Sequence, residues 1–178
     1  RNPKIKEAIT ELLEKKDGLI LGICNGFQAL VKLGLVPYGE IRPMTEQSPT
    51  LTFNTIPRHV STMVDVRVAS NKSPWLNSLK VGDVYSVAVS HGEGKFIATD
   101  KTLDELIENG QIATQYVKGA NATMEFPFNP NGSFMAIEGI TSVDGRVFGK
   151  MGHSERIGDA LYKNYDGSFD MKIFESGV

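Results

Sequence analysis

Cysteine is almost absent from this sequence, which has only one among 178 residues. An internal disulfide is therefore impossible, and a secreted scaffold held together by disulfides is excluded. No apolar run approaches the roughly 18 residues that a membrane span needs, and no signal peptide is predicted at the start of the sequence. The sequence also lacks a P-loop, a dinucleotide-binding glycine fingerprint, a cysteine pair and a His-Glu-x-x-His motif, so no metal site is predicted.

A strong excess of charge of one sign is absent as well. Nineteen basic and 21 acidic residues leave a formal net charge of −2. This balance provides no electrostatic argument for binding a nucleic-acid backbone or an anionic membrane. The apolar fraction of 40% is enough for a sizeable core, and the charged fraction is 22%. We therefore expect a soluble, cytoplasmic α/β protein of one domain or most of one.

The first 34 residues show the order helix, strand, turn, helix. Asn2 and Pro3 predict a helix start, residues 19–23 form a short apolar run typical of a buried parallel strand, and Asn25–Leu33 predicts a second helix ended by Gly34. Further along, the pattern predicts a surface excursion over 37–57, strands over 60–68, 84–89 and 112–117, a capping box opening a helix at 102–105, and a hairpin of 136–143 with 146–150. This order is typical of a doubly wound, mostly parallel sheet with helices on both faces.

A buried parallel strand at 19–23 needs a neighbour on each side, but only one helix precedes it. We therefore expect that two or three strands and their helices are missing from residues 1–178. In this interpretation, residues 1–178 are the C-terminal portion of a domain.

The single cysteine lies in the segment of residues 22–26, which reads Gly-Ile-Cys-Asn-Gly. Glycines two residues before and two after a nucleophile, between a strand and a helix, are the pattern of a nucleophile elbow. We expect the helix N-terminus to lower the pKa of the Cys24 thiol, and the backbone N–H of Asn25 to face a developing oxyanion. The alternative is a buried structural cysteine in a glycine-rich turn.

A thiol nucleophile needs a base, and the sequence offers three histidines. His153 follows a predicted strand, and Glu155 lies two residues further on, where an extended chain places it on the same face. This pair suits a base and the carboxylate that orients it. His91 lies in a glycine-rich turn that lets backbone approach a ligand, whereas His59 is expected to be a solvated surface residue.

Four segments of the sequence together resemble a known family. They are Gly-Ile-Cys-Asn-Gly-Phe-Gln at 22–28, Ser-His-Gly-Glu-Gly at 90–94, Asn-Pro-Asn-Gly-Ser at 129–133 and Gly-His-Ser-Glu-Arg at 152–156. They resemble the class I (triad) glutamine amidotransferase domain of phosphoribosylformylglycinamidine synthase. Ser154 stands where that family usually has proline, and residues 172–178 resemble the terminus of a large single-chain form.

The resemblance implies a flavodoxin-like fold and a glutaminase activity. Cys24 would attack the side-chain amide of L-glutamine and form a thioester, His153 would carry the proton, and Glu155 would orient His153. The released ammonia would pass to a synthetase domain or chain of the same enzyme, which makes formylglycinamidine ribonucleotide in purine biosynthesis. ATP and magnesium would act in that partner, and no cofactor is expected in residues 1–178.

The resemblance also implies the residues that hold the substrate. Gln28 and the segment containing Ser90, Gly92 and Glu93 would bind glutamine, and the N–H of Asn25 would supply half of an oxyanion hole. The other half comes, in the family, from an upstream loop that residues 1–178 do not contain.

Two other functions remain open from the residues themselves. A cysteine hydrolase or protease on the same scaffold would share the elbow and the histidine, but it would not need Glu155 or Gln28. A catalytically silent docking fragment is the second alternative, given the strands that are expected to be missing.

Overall fold

The computed structural model describes residues 2–178. The helices within these residues are α1 (Pro3–Glu14), α2 (Asn25–Leu33), α3 (Leu35–Tyr38), α4 (Asp100–Glu108) and α5 (Ile173–Ser176). The strands are β1 (Ile20–Ile23), β2 (Thr50–Thr52), β3 (Val60–Val68), β4 (Val84–His91), β5 (Lys95–Ile97), β6 (Ile112–Lys118), β7 (Asn121–Ala122), β8 (Ile137–Thr141) and β9 (Val147–Lys150). Across residues 2–178, no helix has the length and apolar content needed to cross a bilayer.

The main sheet has the strand order β1, β9, β8, β6, β3, β4, with β7 beside β6. β1 and β9 run parallel, and the other strand pairs described in this sheet are antiparallel. The predicted α/β class is confirmed, but the described strand directions are more mixed than the expected sheet. The short connection between β8 and β9 is one reason, because a crossover to a parallel neighbour needs a dozen or more residues.

Two hydrophobic clusters lie on the two faces of this sheet. One buries residues of α1, α2 and α4, among them Leu13, Phe27 and Leu106. The other packs Val64, Val66 and their neighbours against the short 3-10 turn Pro74–Leu76 and against α5. The expectation of helices on both faces is confirmed, although the second face is covered by shorter elements.

The predicted helix boundaries near the start of the chain agree with the structure. The Asn2 side chain accepts a hydrogen bond from the Lys4 N–H, and α2 ends at Gly34 with a left-handed φ of 83°. The start predicted for the helix with a capping box at 102–105 was wrong, because this helix, α4, begins at Asp100. Thr99 caps α4 by accepting from the Thr102 N–H, and Thr102 itself is a buried helical residue.

The segment 37–57 is not wholly an irregular surface excursion. It contains β2, which pairs with β5 in a small antiparallel sheet. Phe96 of β5 is fully buried. Three-residue strands of this kind carry too little periodicity to be recognised in sequence.

Candidate active site

Cys24 lies at the junction of β1 and α2. Its backbone has φ 53° and ψ −107°, a left-handed conformation that a residue with a side chain rarely adopts. Such strain costs of order 1–3 kcal/mol and persists only where the surroundings impose it. The Cys24 N–H donates to the Lys150 carbonyl at 2.8 Å, which ties the turn to the end of β9.

The two glycines around Cys24 differ in their surroundings. A Cβ on Gly22 would lie 2.7 Å from the Gly26 carbonyl carbon and 2.5 Å from a methyl of Leu30. A Cβ on Gly26 would meet nothing within 4 Å. Of the two glycines of the elbow pattern, only Gly22 therefore lacks room for a side chain, because the strand passes directly over the first turn of α2 there.

The thiol of Cys24 is half-buried, and its sulfur lies 3.9 Å from the Ser90 carbonyl oxygen. Burial raises the pKa of the Cys24 thiol above its ordinary value, while the Asn25 N–H and then the charge of Arg156 lower it, and Glu155 raises it further. The expected lowering of this pKa at the start of α2 is thus real in direction but outweighed by desolvation. A thiol in this environment needs a base to become a thiolate.

His153 and Glu155 follow the strand adjacent to β1. Because β1 and β9 are parallel and Ile23 lies opposite Lys150, the residues after both strands leave the same edge of the sheet. Nδ1 of His153 lies 2.6 Å from a carboxylate oxygen of Glu155, and its backbone N–H donates to the Ala88 carbonyl at 2.8 Å. The structure therefore brings the predicted base and its orienting carboxylate to the end of the sheet where Cys24 lies.

The predicted substrate-binding residues also lie around this edge. The Gln28 side-chain amide, from α2, donates to the Glu93 carbonyl. Ser90 presents its carbonyl to the Cys24 thiol, and Gly92 is a neighbouring residue whose added Cβ would meet nothing within 4 Å. Asn25 is exposed at the start of α2. Their part in binding a substrate remains a prediction.

Asn54 is a structural residue of this site that the sequence analysis missed. Its buried side chain donates to the His91 and Arg58 carbonyls and accepts from the Gly94 N–H at 3.2 Å. It therefore fixes the shape of the 90–94 turn from beneath. It lies within the segment 37–57, where a polar residue such as Asn54 is expected to face solvent, so nothing in the sequence marks it as buried.

The turn at 129–133 supports the same 90–94 turn from another side. The Asn131 side-chain amide donates to the Gly94 carbonyl at 2.8 Å, and the Ser133 hydroxyl, which donates to the Asn131 side-chain oxygen at 2.7 Å, lies 3.3 Å from the same carbonyl. Asn131 and Ser133 are fully buried. This motif therefore positions the backbone next to Cys24 rather than contacting the thiol.

The other two histidines differ from each other in their environment. His91 is buried beside Asn54, and burial lowers its pKa to about 4. His59 is exposed as expected, but its Nε2 lies 2.9 Å from the Ser90 hydroxyl, so it has a partner that the sequence did not reveal. Neither histidine is paired with a carboxylate in the part of the chain that the structure describes. Only His153 has the partner that orients a base.

The comparisons with known proteins agree with this geometry. Residues 1–178 match the family described as CobB/CobQ-like glutamine amidotransferase domain. The chain is 35% identical over 164 residues to phosphoribosylformylglycinamidine synthase subunit PurQ of Gloeobacter violaceus (92% of this chain, 64% of that protein). It is 39% identical over 148 residues to the subunit of the same name from Synechocystis sp. (83% of this chain, 61% of that protein).

Among solved structures, the chain is similar to the structure of PurLQS from Thermotoga maritima. The TM-score is 0.71 at 28% sequence identity, and the match covers 98% of this chain and 66% of that one. The chain thus spans about three-fifths of the length of the relatives named above. The resemblance found in the sequence and the expected flavodoxin-like class are confirmed, and the chain belongs to the family of CobB/CobQ-like glutamine amidotransferase domains.

Proposed function

We propose that this chain is the glutaminase part of a phosphoribosylformylglycinamidine synthase. It would hydrolyse the side-chain amide of L-glutamine and deliver the ammonia to a synthetase domain or subunit. The observation that carries the proposal is the placement of Cys24 and the His153–Glu155 pair at one edge of the sheet, in a chain that resembles subunits of that enzyme.

The proposed chemistry begins with the Cys24 thiol passing its proton to the imidazole of His153. The thiolate attacks the amide carbon, and the Asn25 N–H stabilises the negative oxygen that forms. Collapse of this intermediate breaks the carbon–nitrogen bond, and His153 gives its proton to the leaving ammonia. Water, activated by His153, then hydrolyses the thioester and releases glutamate and the free thiol.

Glu155 accepts a hydrogen bond from Nδ1 of His153 in this proposal, so that Nε2 is left to exchange protons with the thiol. Burial raises the pKa of the Cys24 thiol, which favours a mechanism in which a base takes up its proton. Gln28, Ser90, Gly92 and Glu93 would bind the amino-acid part of glutamine.

ATP and magnesium would act in the synthetase partner. Residues 2–178 contain no cluster of three or more histidine, cysteine or acidic side chains that could hold a metal ion. In this proposal the chain's own residues supply the acyl transfer, and the ATP-dependent step belongs to the partner. We propose this reaction, and the expected cytoplasmic location, for a protein as long as the relatives named above and not for residues 1–178 alone.

We further propose that β1 pairs with another strand at its outer edge, as the sequence led us to expect. β1 is the outermost strand of the described sheet. Its residues are nevertheless apolar and only partly accessible to solvent, as in parallel strands that have neighbours on both sides. The N–H groups of Ile20 and Cys24 donate toward β9, so those of Leu21 and Ile23 face outward. In the whole protein these two amides should exchange slowly with deuterium, and rapid exchange would contradict an added strand.

A glutamine-analogue diazo ketone tests the proposed function directly. The whole protein should be labelled on the peptide containing Cys24 and should release ammonia from glutamine without cleaving peptides. A silent docking fragment would stay unlabelled, and a protease would cleave peptides. Cys24→Ala should abolish glutamine-dependent synthesis but leave synthesis from added ammonia nearly unchanged, whereas equal loss of both would count against the proposal.

A further inference from the structure

Beneath the His153 segment lies an ion pair that the proposed mechanism does not use. Nζ of Lys150, the last residue of β9, lies 3.1 Å from a carboxylate oxygen of Glu138 in β8. Both side chains are completely buried. A buried ion pair of this kind is often no more stabilising than a well-packed apolar pair, because desolvation offsets the attraction. Stability alone is therefore a poor reason for its presence.

The contacts of Lys150 point to the segment that carries His153. Besides Glu138, its ammonium donates to the Gly152 carbonyl at 2.8 Å and to the Ser154 hydroxyl at 2.9 Å. An ammonium has three N–H donors. Two of them donate to the residues immediately before and after His153, while the charge forms the ion pair with Glu138.

Glu138 holds the same segment through its other contacts. One carboxylate oxygen accepts from the Gly152 N–H at 2.5 Å, and the other accepts from the Thr114 hydroxyl. The Glu138 carbonyl accepts from the Met151 N–H at 3.0 Å. Both the N–H and the carbonyl of Gly152 are therefore bonded to members of one buried ion pair.

Gly152 has no room for any other side chain. A Cβ there would lie 2.5 Å from a Val87 methyl, 2.9 Å from the Glu138 carboxylate and 3.2 Å from Nζ of Lys150. The ion pair thus lies directly against the backbone of this segment. On the far side, the Ser154 hydroxyl donates to the sulfur of Met171 at 3.1 Å, which anchors the segment to the C-terminal residues.

We propose that Lys150 and Glu138 are positioning residues that hold His153 in register with Cys24. The inference rests on the proposed glutaminase function. The pair acts through Gly152 and Ser154 and touches neither the thiol nor the imidazole in the contacts described above. Small displacements of a catalytic group cost large factors in rate, so loosening residues 152–154 should lower kcat with little change in KM.

The test replaces both charges together, because removing one would leave the other buried and unpaired. The whole protein with Lys150→Met and Glu138→Leu keeps apolar bulk at both positions and loses every side-chain bond to Gly152 and Ser154. We expect kcat for glutamine hydrolysis to fall at least tenfold, KM to stay within about twofold, and ammonia-dependent synthesis to remain. The NMR signal of the His153 Nδ1 proton should broaden or disappear.

The matched control is Lys118→Met with Glu125→Leu, which removes an exposed ion pair of 2.9 Å far from this segment. It should leave kcat, KM and the His153 signal unchanged. A folded Lys150→Met, Glu138→Leu protein with unchanged kcat and an unchanged His153 signal would overturn the inference. Absence of glutaminase activity and diazo ketone labelling in the parent protein would instead overturn the proposed function.

A second variant decides the question if the double replacement does not fold. Ser154→Ala keeps the ion pair and removes one of its three side-chain bonds to residues 152–154. A fall in kcat of a few-fold with unchanged KM, together with a shifted His153 signal, supports the inference. Ser154→Ala with the parent kcat and an unshifted signal overturns it.

Discussion

Cys24 and His153 lie at the same edge of the sheet but are held in place by different means. Cys24 is positioned by its own stretch of chain, in which β1, a strained backbone turn and α2 follow one another within 14 residues. The backbone N–H of His153 donates to the Ala88 carbonyl in β4, and we have proposed that the Glu138–Lys150 pair holds the residues on either side of it. The position of Cys24 thus depends mainly on local backbone geometry, with one bond to the Lys150 carbonyl, whereas that of His153 depends mainly on bonds to other strands.

This difference predicts different consequences when each half is damaged. A change near Cys24 should act mainly on folding, because the turn and the packing of α2 on β1 are inseparable. A change at His153 or just after it should act mainly on rate, because residues 153–156 contribute no side chain to the two hydrophobic clusters. Substitutions at Glu155, at the two elbow glycines and at Arg156 test this contrast.

The largest effect is expected on rate, from Glu155→Gln. The amide still offers an oxygen to Nδ1 of His153, but it removes the negative charge that stabilises the imidazolium and favours one tautomer. Glutamine hydrolysis should fall roughly a hundredfold or more, while the unfolding midpoint of the protein stays close to the parent value. Steady-state assays of ammonia release, with a urea unfolding curve for each protein, check both halves of this prediction.

Glu175→Gln provides the control for loss of a carboxylate near the surface, since Glu175 lies in α5 and pairs with Lys172 just before that helix. It should leave the rate unchanged. A Glu155→Gln protein that kept the parent rate would show that His153 needs no orienting charge, and it would remove Glu155 from the mechanism.

The next effect is on stability, from Gly22→Ala compared with Gly26→Ala. The first places a methyl against the Gly26 backbone and Leu30, and overpacking of this kind costs about 1–3 kcal/mol. The second places a methyl in open space within α2, where alanine is favoured over glycine by up to about 1 kcal/mol. The two substitutions should therefore shift the midpoint of urea unfolding in opposite directions from that of the parent protein. Equal destabilisation by both would contradict the local account of the elbow.

The same contrast explains how much of the molecule was predictable. The elbow could be found because its signals lie within a few residues, and the bounds of α2 were predicted correctly at both ends. The Glu138–Lys150 pair could not be found, because no sequence spacing links residues of two neighbouring antiparallel strands to the segment after them. Asn54 was missed for the same reason, since its partners lie 37 and 40 positions away.

The pKa of the Cys24 thiol shows a second limit. The sequence led us to expect that the start of α2 lowers this pKa; the Asn25 N–H does act in that direction, but the sequence carried no measure of burial and the pKa is raised. Desolvation proved the larger influence. Short-range polar contacts can thus be read from a motif, whereas the cost of excluding water depends on the whole fold.

The smallest effect is expected from Arg156→Gln, and it links the two halves of the site. The guanidinium lies half-exposed after His153, and its positive charge lowers the pKa of the Cys24 thiol. Removing the charge should raise this pKa, so a higher pH will be needed for the same thiolate fraction. The pH profile of iodoacetamide alkylation of the Cys24 peptide, followed by mass spectrometry, should therefore shift toward alkaline values.

The control is Arg42→Gln, which removes an arginine stacked on Tyr38 away from the thiol and should leave the pH profile in place. Because exposed charges are screened, added salt should shrink the difference between the Arg156→Gln and parent profiles. A shift toward acid pH, or one that persists at high salt, would mean that Arg156 acts on Cys24 by another route than its charge.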